Sequence, residues 1–174
     1  MTDFTLILGG ARSGKSRLAE ARIQALPGHQ APVYLATAQA FDAEMAERIA
    51  HHRAQRADAG WRTVEAPLAL SDALGAQPPD APVLIDCLTL WLSNQMLAGA
   101  DLPAQVDALE HAILARAAPV VAVANEVGLG IVPDNALARR FRDAAGRLNQ
   151  RLAARAGRVI LVTAGLPLAL KGGL

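Results

Sequence analysis

The segment of this sequence with the clearest chemical meaning is a glycine-rich run from Gly9 to Ser16. It matches the phosphate-binding loop pattern G-x-x-x-x-G-K-[ST] at every position, and its glycines let successive backbone N–H groups point inward at a polyphosphate. In such a loop Lys15 reaches the terminal phosphates and the Ser16 hydroxyl ligates Mg²⁺. The run therefore predicts a nucleoside triphosphate site, with a chance match in a strand-to-helix turn as the alternative. The predicted site comprises Gly9, Gly10, Ala11, Arg12, Ser13, Gly14, Lys15 and Ser16.

The residues around this loop provide the elements that must hold it. Residues 4–8 are apolar and β-prone, and residues 16–22 are rich in helix formers. Further apolar runs alternate with helical patterns, which is typical of a buried parallel sheet. We therefore expect an α/β fold, a three-layer α/β/α P-loop NTPase of the RecA-like type with a mostly parallel central sheet, in one domain over residues 1–174. The other predicted strands cover 32–37, 61–65, 81–86, 119–124 and 158–163, with an added edge strand in 165–171, and the other main helices cover 43–58, 88–97, 103–117 and 135–156.

Asp86 directly follows the apolar run 81–85. In a phosphate-loop protein this is the Walker B position, where an acid helps to hold the Mg²⁺ that Ser16 also contacts. The alternative is that Asp86 caps the helix 88–97. The continuous apolar run before it favours the metal role.

Two adjacent histidines lie on the predicted helix 43–58 and face different ways. At about 100° per residue, Ala50 falls on the packing face with the other small and apolar side chains, whereas His51 lies near the middle of the polar face. His52 lies at the border between the two faces. His51 therefore points away from the packing face, and an ordinary solvated histidine is the interpretation that this pattern alone favours.

Other polar residues have less specific interpretations. Glu65 ends a short predicted strand and is expected to be a surface carboxylate, while Thr37 ends the strand 32–37 at the edge where ligands usually bind. Asn125 and Glu126 follow a buried strand and lead into a glycine-rich loop over the same edge. The arginines of the helix 135–156 are expected to form a solvated face, with phosphate binding as the alternative. They are Arg139, Arg140, Arg142, Arg147, Arg151 and Arg155.

The composition excludes several classes of partner. The chain has 174 residues and a formal net charge of +1, with acids and bases interspersed, so we expect no nucleic-acid surface and no membrane-binding patch. No apolar stretch is long enough for a membrane span, and residues 1–4 lack the positive region of a signal peptide. The single cysteine, Cys87, lies in an apolar run and is expected to be a buried thiol. These features predict a cytoplasmic protein.

The motifs together resemble one known family. The matching pieces are residues 9–17, 34–38, 45–53, 61–65, 86–89 and 125–133, followed by Arg139, residues 141–143, Gly146 and residues 149–152. This combination resembles the bifunctional adenosylcobinamide kinase / adenosylcobinamide-phosphate guanylyltransferase family of cobalamin biosynthesis. The run from Asn125 to Pro133 is its most specific piece, and the matches span nearly the whole chain.

The resemblance implies two reactions on a corrinoid substrate. ATP or GTP first phosphorylates the aminopropanol hydroxyl of adenosylcobinamide, and GTP then transfers GMP to the resulting phosphate and releases pyrophosphate. A kinase with the first activity alone is the alternative. A GTP-dependent switch protein is disfavoured, because the sequence lacks the N-K-x-D motif with which such proteins recognise guanine.

The resemblance also implies roles for particular residues. His51 matches the nucleophile that forms a covalent guanylyl-histidine, and Lys15 is the other catalytic residue. Glu126 and Glu65 are candidates for the base that accepts the cobinamide proton. The family further implies a homo-oligomer, with a trimer as the expected arrangement. Besides the loop, the implied GTP and ATP contacts are Ala36, Thr37, Ala38, His52, Arg53, Ala54, Gln55, Glu65 and Asp86, and the implied Mg²⁺ ligands are Ser16 and Asp86.

Overall fold

The computed structural model of this chain describes residues 3–26, 30–39, 50, 54 and 59–174. Most of the predicted helix 43–58 lies outside these residues, together with four predicted site residues: His51, His52, Arg53 and Gln55. Ala50 and Ala54 are described, and both are helical and exposed. The prediction that Ala50 lies on a packing face is therefore wrong, because a helical wheel shows only the periodicity and not what covers each face.

The described residues form a seven-stranded sheet in the order β3-β2-β4-β5-β1-β6-β7. All neighbouring strands pair in parallel except β6 and β7, which are antiparallel. The predicted mostly parallel sheet is confirmed, including its added edge strand. The strands are β1 (Phe4–Gly9), β2 (Val33–Ala36), β3 (Arg62–Glu65), β4 (Val83–Asp86), β5 (Val120–Asn125), β6 (Arg158–Thr163) and β7 (Leu166–Lys171).

Helices cover both faces of this sheet, which confirms the predicted three-layer α/β/α fold. The helix that follows the phosphate-binding loop packs on the first face, where its Ala19 and Ile23 join buried side chains such as Ile7. The second face is covered around Ile85 and Trp91 by other described helices. The described helices are α1 (Lys15–Gln24), α2 (Leu70–Gly75), α3 (Leu88–Leu97), α4 (Leu102–Leu114) and α5 (Ala136–Arg155).

The hairpin formed by β6 and β7 touches the phosphate-binding loop. Its two-residue turn has positive φ at Ala164 (53°) and Gly165 (79°), the conformation that joins twisted antiparallel strands with least strain. The Gly165 N–H donates to the Ser13 carbonyl at 2.9 Å. The C-terminal hairpin thus supports the loop from the side opposite β5.

Within the described part of the chain, no helix has both the length and the apolar character needed to cross a membrane.

Candidate active site

The phosphate-binding loop connects the end of β1 to the start of α1, as its sequence predicts. Gly14 is the N-cap of α1 and has a φ of 94°, a left-handed conformation that favours glycine. Gly9 is required for a different reason. A Cβ atom at Gly9 would lie 2.5 Å from Ser13 Oγ and 2.6 Å from the Val162 carbonyl oxygen, so any side chain would push the loop apart.

The start of α1 has the features of an anion-binding site. Among the described residues, no side chain caps this helix end, so the N–H groups of its first turn face outward with the positive end of the helix dipole. Lys15 Nζ donates to the Gly10 carbonyl at 3.0 Å, and the residue is half-buried. A polyphosphate placed here would meet both the N–H groups and the ammonium group.

Asp86 is held by a neighbouring strand and does not cap a helix. Its Oδ2 accepts a 2.6 Å hydrogen bond from the Tyr34 hydroxyl. The N-cap of α3 is Cys87, whose Sγ accepts from the Leu90 N–H. The capping alternative for Asp86 is therefore wrong, because its backbone belongs to β4 and Cys87 occupies the cap position. Sequence reasoning missed Tyr34, although a hydroxyl-bearing aromatic near the end of a buried strand was a signal.

Thr37 joins the ends of β2 and β4. It is fully buried, and its hydroxyl lies 2.8 Å from both the N and the O of Cys87, donating to the carbonyl and accepting from the N–H. Its own carbonyl accepts from Asn94 Nδ2 at 2.8 Å. The Thr37 side chain thus fixes the backbone that follows Asp86. Ala36 pairs in register with Asp86, so the predicted contact segment Ala36–Ala38 lies beside it.

The end of β5 lies between the loop and Asp86. Asn125 pairs in register with Gly9, and the Glu126 N–H donates to the Gly9 carbonyl at 3.1 Å. Asn125 Oδ1 and Ser13 Oγ are buried and have no hydrogen-bond partner among the described residues. Buried polar atoms are nearly always satisfied, so these two atoms mark this edge as a place for a further ligand or water.

Glu65 lies farther from the loop than the other described candidates. It ends β3, the outer strand, and β2, β4 and β5 lie between β3 and β1. At about 4.8 Å per strand spacing, Glu65 is roughly 19 Å from Gly9 across the sheet. Its side chain is exposed, as expected, and its contact with a nucleotide stays a prediction.

The environment of Cys87 disfavours its thiolate form. Burial, followed by the negative charge of Asp86, raises the pKa of the Cys87 thiol to about 11. A protonated thiol is a poor nucleophile and a poor metal ligand. The expectation of a buried thiol is confirmed.

The residues at this edge fit a magnesium ion bound together with a nucleotide. Mg²⁺ takes oxygen ligands, and in nucleotide sites it is held by one or two protein oxygens plus phosphates and water. Asp86 offers a carboxylate and Ser16 a hydroxyl, and α1 packs against β4, the strand that ends in Asp86.

Comparison with solved structures supports the fold. The chain is similar to the flagellar accessory protein FlaH from Methanocaldococcus jannaschii, with a TM-score of 0.55 and 10% identity over 99% of this chain and 81% of that one. It is also similar to a second solved structure, an ATPase domain, with a TM-score of 0.52 and 12% identity over 92% of this chain and 69% of that one. These likenesses confirm the P-loop α/β fold.

Comparison with characterised sequences reaches the family. The chain is 51% identical to the bifunctional adenosylcobalamin biosynthesis protein CobP of Pseudomonas aeruginosa, covering 96% of each chain. It is 47% and 45% identical to the bifunctional adenosylcobalamin biosynthesis proteins CobU of Salmonella typhimurium and Escherichia coli, in both cases covering 95% of this chain and 98% of the relative. Residues 5–170 match the model of the cobinamide kinase / cobinamide phosphate guanyltransferase family. The motifs, the fold and these matches agree, and the chain belongs to that family.

Proposed function

We propose that this chain is a bifunctional enzyme of adenosylcobalamin biosynthesis that phosphorylates adenosylcobinamide and then transfers GMP to the product. The observation that carries the proposal is the family match over residues 5–170. The loop geometry supports it, because the N-terminus of α1 and Lys15 are ready to receive a polyphosphate.

In the kinase step, the aminopropanol hydroxyl oxygen of the corrinoid attacks the γ-phosphorus of ATP or GTP. The bond between that phosphorus and the β-phosphate oxygen breaks, and the nucleoside diphosphate leaves. Lys15 and the loop N–H groups neutralise charge on the transferred group. We assign Glu126 as the group that accepts the hydroxyl proton; its backbone N–H donates to the Gly9 carbonyl and its Oε1 accepts from the Gly128 N–H. Mg²⁺, held by Ser16 and Asp86, would supply further charge neutralisation on the phosphates.

In the guanylyl-transfer step, a neutral imidazole nitrogen of His51 attacks the α-phosphorus of GTP. The bond to the β-phosphate oxygen breaks, pyrophosphate leaves and a phosphoramidate forms on His51. An oxygen of adenosylcobinamide phosphate then attacks that phosphorus and breaks the P–N bond, which yields adenosylcobinamide-GDP and restores the histidine. An unperturbed imidazole has a pKa of about 6.5 and is largely neutral at neutral pH, so no strong activating base is needed.

The test is incubation with GTP labelled at the α-phosphate, followed by intact-protein mass measurement. We expect one acid-labile GMP per chain, lost in His51→Asn and retained in His111→Asn. His111 is a suitable control because it is an exposed histidine on α4, whose Nδ1 lies 2.7 Å from the Asp107 carbonyl oxygen. Labelled His51→Asn, or unlabelled wild type that still forms adenosylcobinamide-GDP, would exclude the His51 intermediate.

A kinase without transferase activity is the second candidate, because the phosphate-binding loop alone supports it. It predicts conversion of adenosylcobinamide to its phosphate and no further, at the same rate in wild type and His51→Asn. Formation of adenosylcobinamide-GDP by the wild type excludes this candidate.

We also infer a single domain over residues 1–174, since the sheet joins strands from both ends of the described chain. A cytoplasmic homo-oligomer, with a trimer as the expected arrangement, completes the proposal. The exposed leucines of β7 offer it an apolar contact face (Leu166, Leu168 and Leu170). Sedimentation of the purified protein as a monomer at micromolar concentration would contradict the oligomer.

A further inference from the structure

The carboxylate of Asp86 is oriented by a residue on another strand. Tyr34 lies on β2, which pairs with β4 so that Tyr34 is opposite Leu84 and Ala36 is opposite Asp86. The phenol therefore reaches along the strand direction by two residues, about 6.6 Å, to meet the carboxylate. Its hydroxyl donates to Asp86 Oδ2 at 2.6 Å, the short distance of a hydrogen bond to a charged acceptor.

The ring that carries this hydroxyl has little freedom to move. Tyr34 is 5% exposed and meets Trp61 edge to face, with ring centroids 5.8 Å apart and an interplanar angle of 85°. Both rings belong to the core between the sheet and α1. Because buried rings are held in one rotamer, the hydroxyl is a fixed donor rather than a mobile one.

A fixed donor on one carboxylate oxygen selects the direction of the other oxygen. The hydrogen bond anchors Oδ2 of Asp86, and because the carboxylate is planar it also limits the directions in which Oδ1 can point toward a further ligand. Carboxylates that bind metals are commonly held by such outer partners, and losing the partner typically costs about 10–100-fold in metal affinity or activity.

We propose that Tyr34 is a positioning residue that orients Asp86 toward the divalent cation bound with the nucleotide. The inference rests on the proposed role of Asp86 as a Mg²⁺ ligand. Tyr34 touches neither the nucleotide nor the reacting atoms in this proposal, and it acts only through Asp86. Trp61 contributes by holding the Tyr34 ring.

The test compares the affinity of a non-hydrolysable GTP analogue in Mn²⁺ with its affinity in EDTA, by calorimetry. The ratio of the two affinities reports the contribution of the metal. In Tyr34→Phe we expect this ratio to fall about tenfold, at the lower end of the range for lost outer partners, with the affinity in EDTA unchanged. The Mg²⁺ concentration for half-maximal kinase rate should rise in parallel, and saturating Mg²⁺ should restore most of kcat.

Two further variants distinguish a metal-related role of Tyr34 from a general loss of stability in β2 and from a missing metal role of Asp86. Leu35→Val shortens a buried side chain on the opposite face of β2 and should lower the melting temperature without changing the Mn²⁺/EDTA ratio. Asp86→Asn should reduce the ratio further than Tyr34→Phe does. A normal ratio in Tyr34→Phe together with a reduced one in Asp86→Asn would overturn the role of Tyr34 alone. Normal ratios in both would overturn the metal role of Asp86, and the role of Tyr34 with it.

Discussion

Two polar clusters of this protein differ in how completely their members satisfy one another. The helix-pair cluster joins α4 and α5 and comprises Asp107, Glu110, Arg151 and Arg155. Both oxygens of the buried Glu110 carboxylate are occupied there, Oε2 by Arg151 and Oε1 by Arg155 at 2.7 Å. Arg151 also donates to Asp107 at 2.6 Å. The helix-pair cluster therefore uses its buried charge to hold two helices together.

The edge cluster lies at the carboxyl ends of the parallel strands and comprises Ser13, Lys15, Asp86 and Asn125. Lys15 donates to a carbonyl of its own loop, and the polar oxygens of Ser13 and Asn125 are buried without a partner among the described residues. Unsatisfied groups cost free energy in the absence of a ligand and become favourable contacts when one binds. The paired charges of the helix-pair cluster thus stabilise the fold. The polar atoms of the edge cluster that lack a protein partner are instead available to bind a ligand. Activity and stability should therefore respond to separate substitutions.

Of the proposed variants, Lys15→Met should have the largest effect, and it should lower activity without lowering stability. It removes the ammonium group that neutralises the transferred phosphate, so we expect kcat/KM of the kinase step to fall about 10²–10³-fold. The melting temperature should stay near that of wild type, because Lys15 is only half-buried and its ammonium group binds one loop carbonyl. Arg22→Met, in the last turn of the same helix, is the control and should retain activity. Near-normal turnover by Lys15→Met would show that the edge cluster takes no part in the kinase reaction.

Gly9→Ala tests a position at which stability and activity both depend on the same residues, because the phosphate-binding loop is part of the packed fold and of the nucleotide site. The added Cβ would lie 2.6 Å from the Val162 backbone oxygen, so we expect about 1–3 kcal/mol of destabilisation from overpacking. Gly10→Ala is the matched control, since a Cβ there has no neighbour within 4 Å among the described residues. Urea unfolding measures the free energy of unfolding of both variants. Equal stability of the two variants would contradict the close packing of the loop against β6.

Glu110→Gln should lower stability and leave the activity of the folded enzyme unchanged. Loss of the charge weakens two hydrogen bonds to arginine, for which we expect a cost of about 1–3 kcal/mol at pH 7. Asp107→Asn is the control. It changes an exposed carboxylate of the same cluster and should cost at most about 1 kcal/mol.

The effect of Glu110→Gln on stability should depend on pH. Burial disfavours ionisation of Glu110, but the hydrogen bonds and charges of Arg151 and Arg155 outweigh it and hold the pKa of Glu110 below its usual value. A lowered pKa in the folded state stabilises the fold above the unfolded value of about 4.3, and this contribution is lost as the pH falls through the folded value. The stability difference between wild type and Glu110→Gln should therefore narrow on acidification from about pH 5 to about pH 3. A constant difference would show that charge does not hold this cluster.

Elements with strong local patterns were predictable from the sequence. The helix Leu88–Leu97 and the strand Arg158–Thr163 begin and end where their patterns predict. The phosphate-binding loop lies between its predicted strand and helix. These signals are local, because apolar periodicity and glycine spacing act over a few residues.

Contacts between distant segments were not predictable. The arginines of α5 are exposed or half-buried, as expected, but the sequence did not predict that Arg151 and Arg155 pair with Glu110, which precedes them by 41 and 45 residues. No periodicity within α5 reveals that α4 presents a carboxylate to it. The hydrogen bond from Tyr34 to Asp86 spans 52 residues and depends on β2 lying next to β4.

Local sequence was thus enough to define the nucleotide-binding loop, the alternation of strands and helices, and the family. The folded chain alone decided which strands are neighbours, and so which side chains meet at the sheet edge. This division follows from the range of the interactions. Backbone propensity and side-chain periodicity are written in consecutive residues, whereas the partner of a buried carboxylate is chosen by packing that brings remote segments within hydrogen-bond distance.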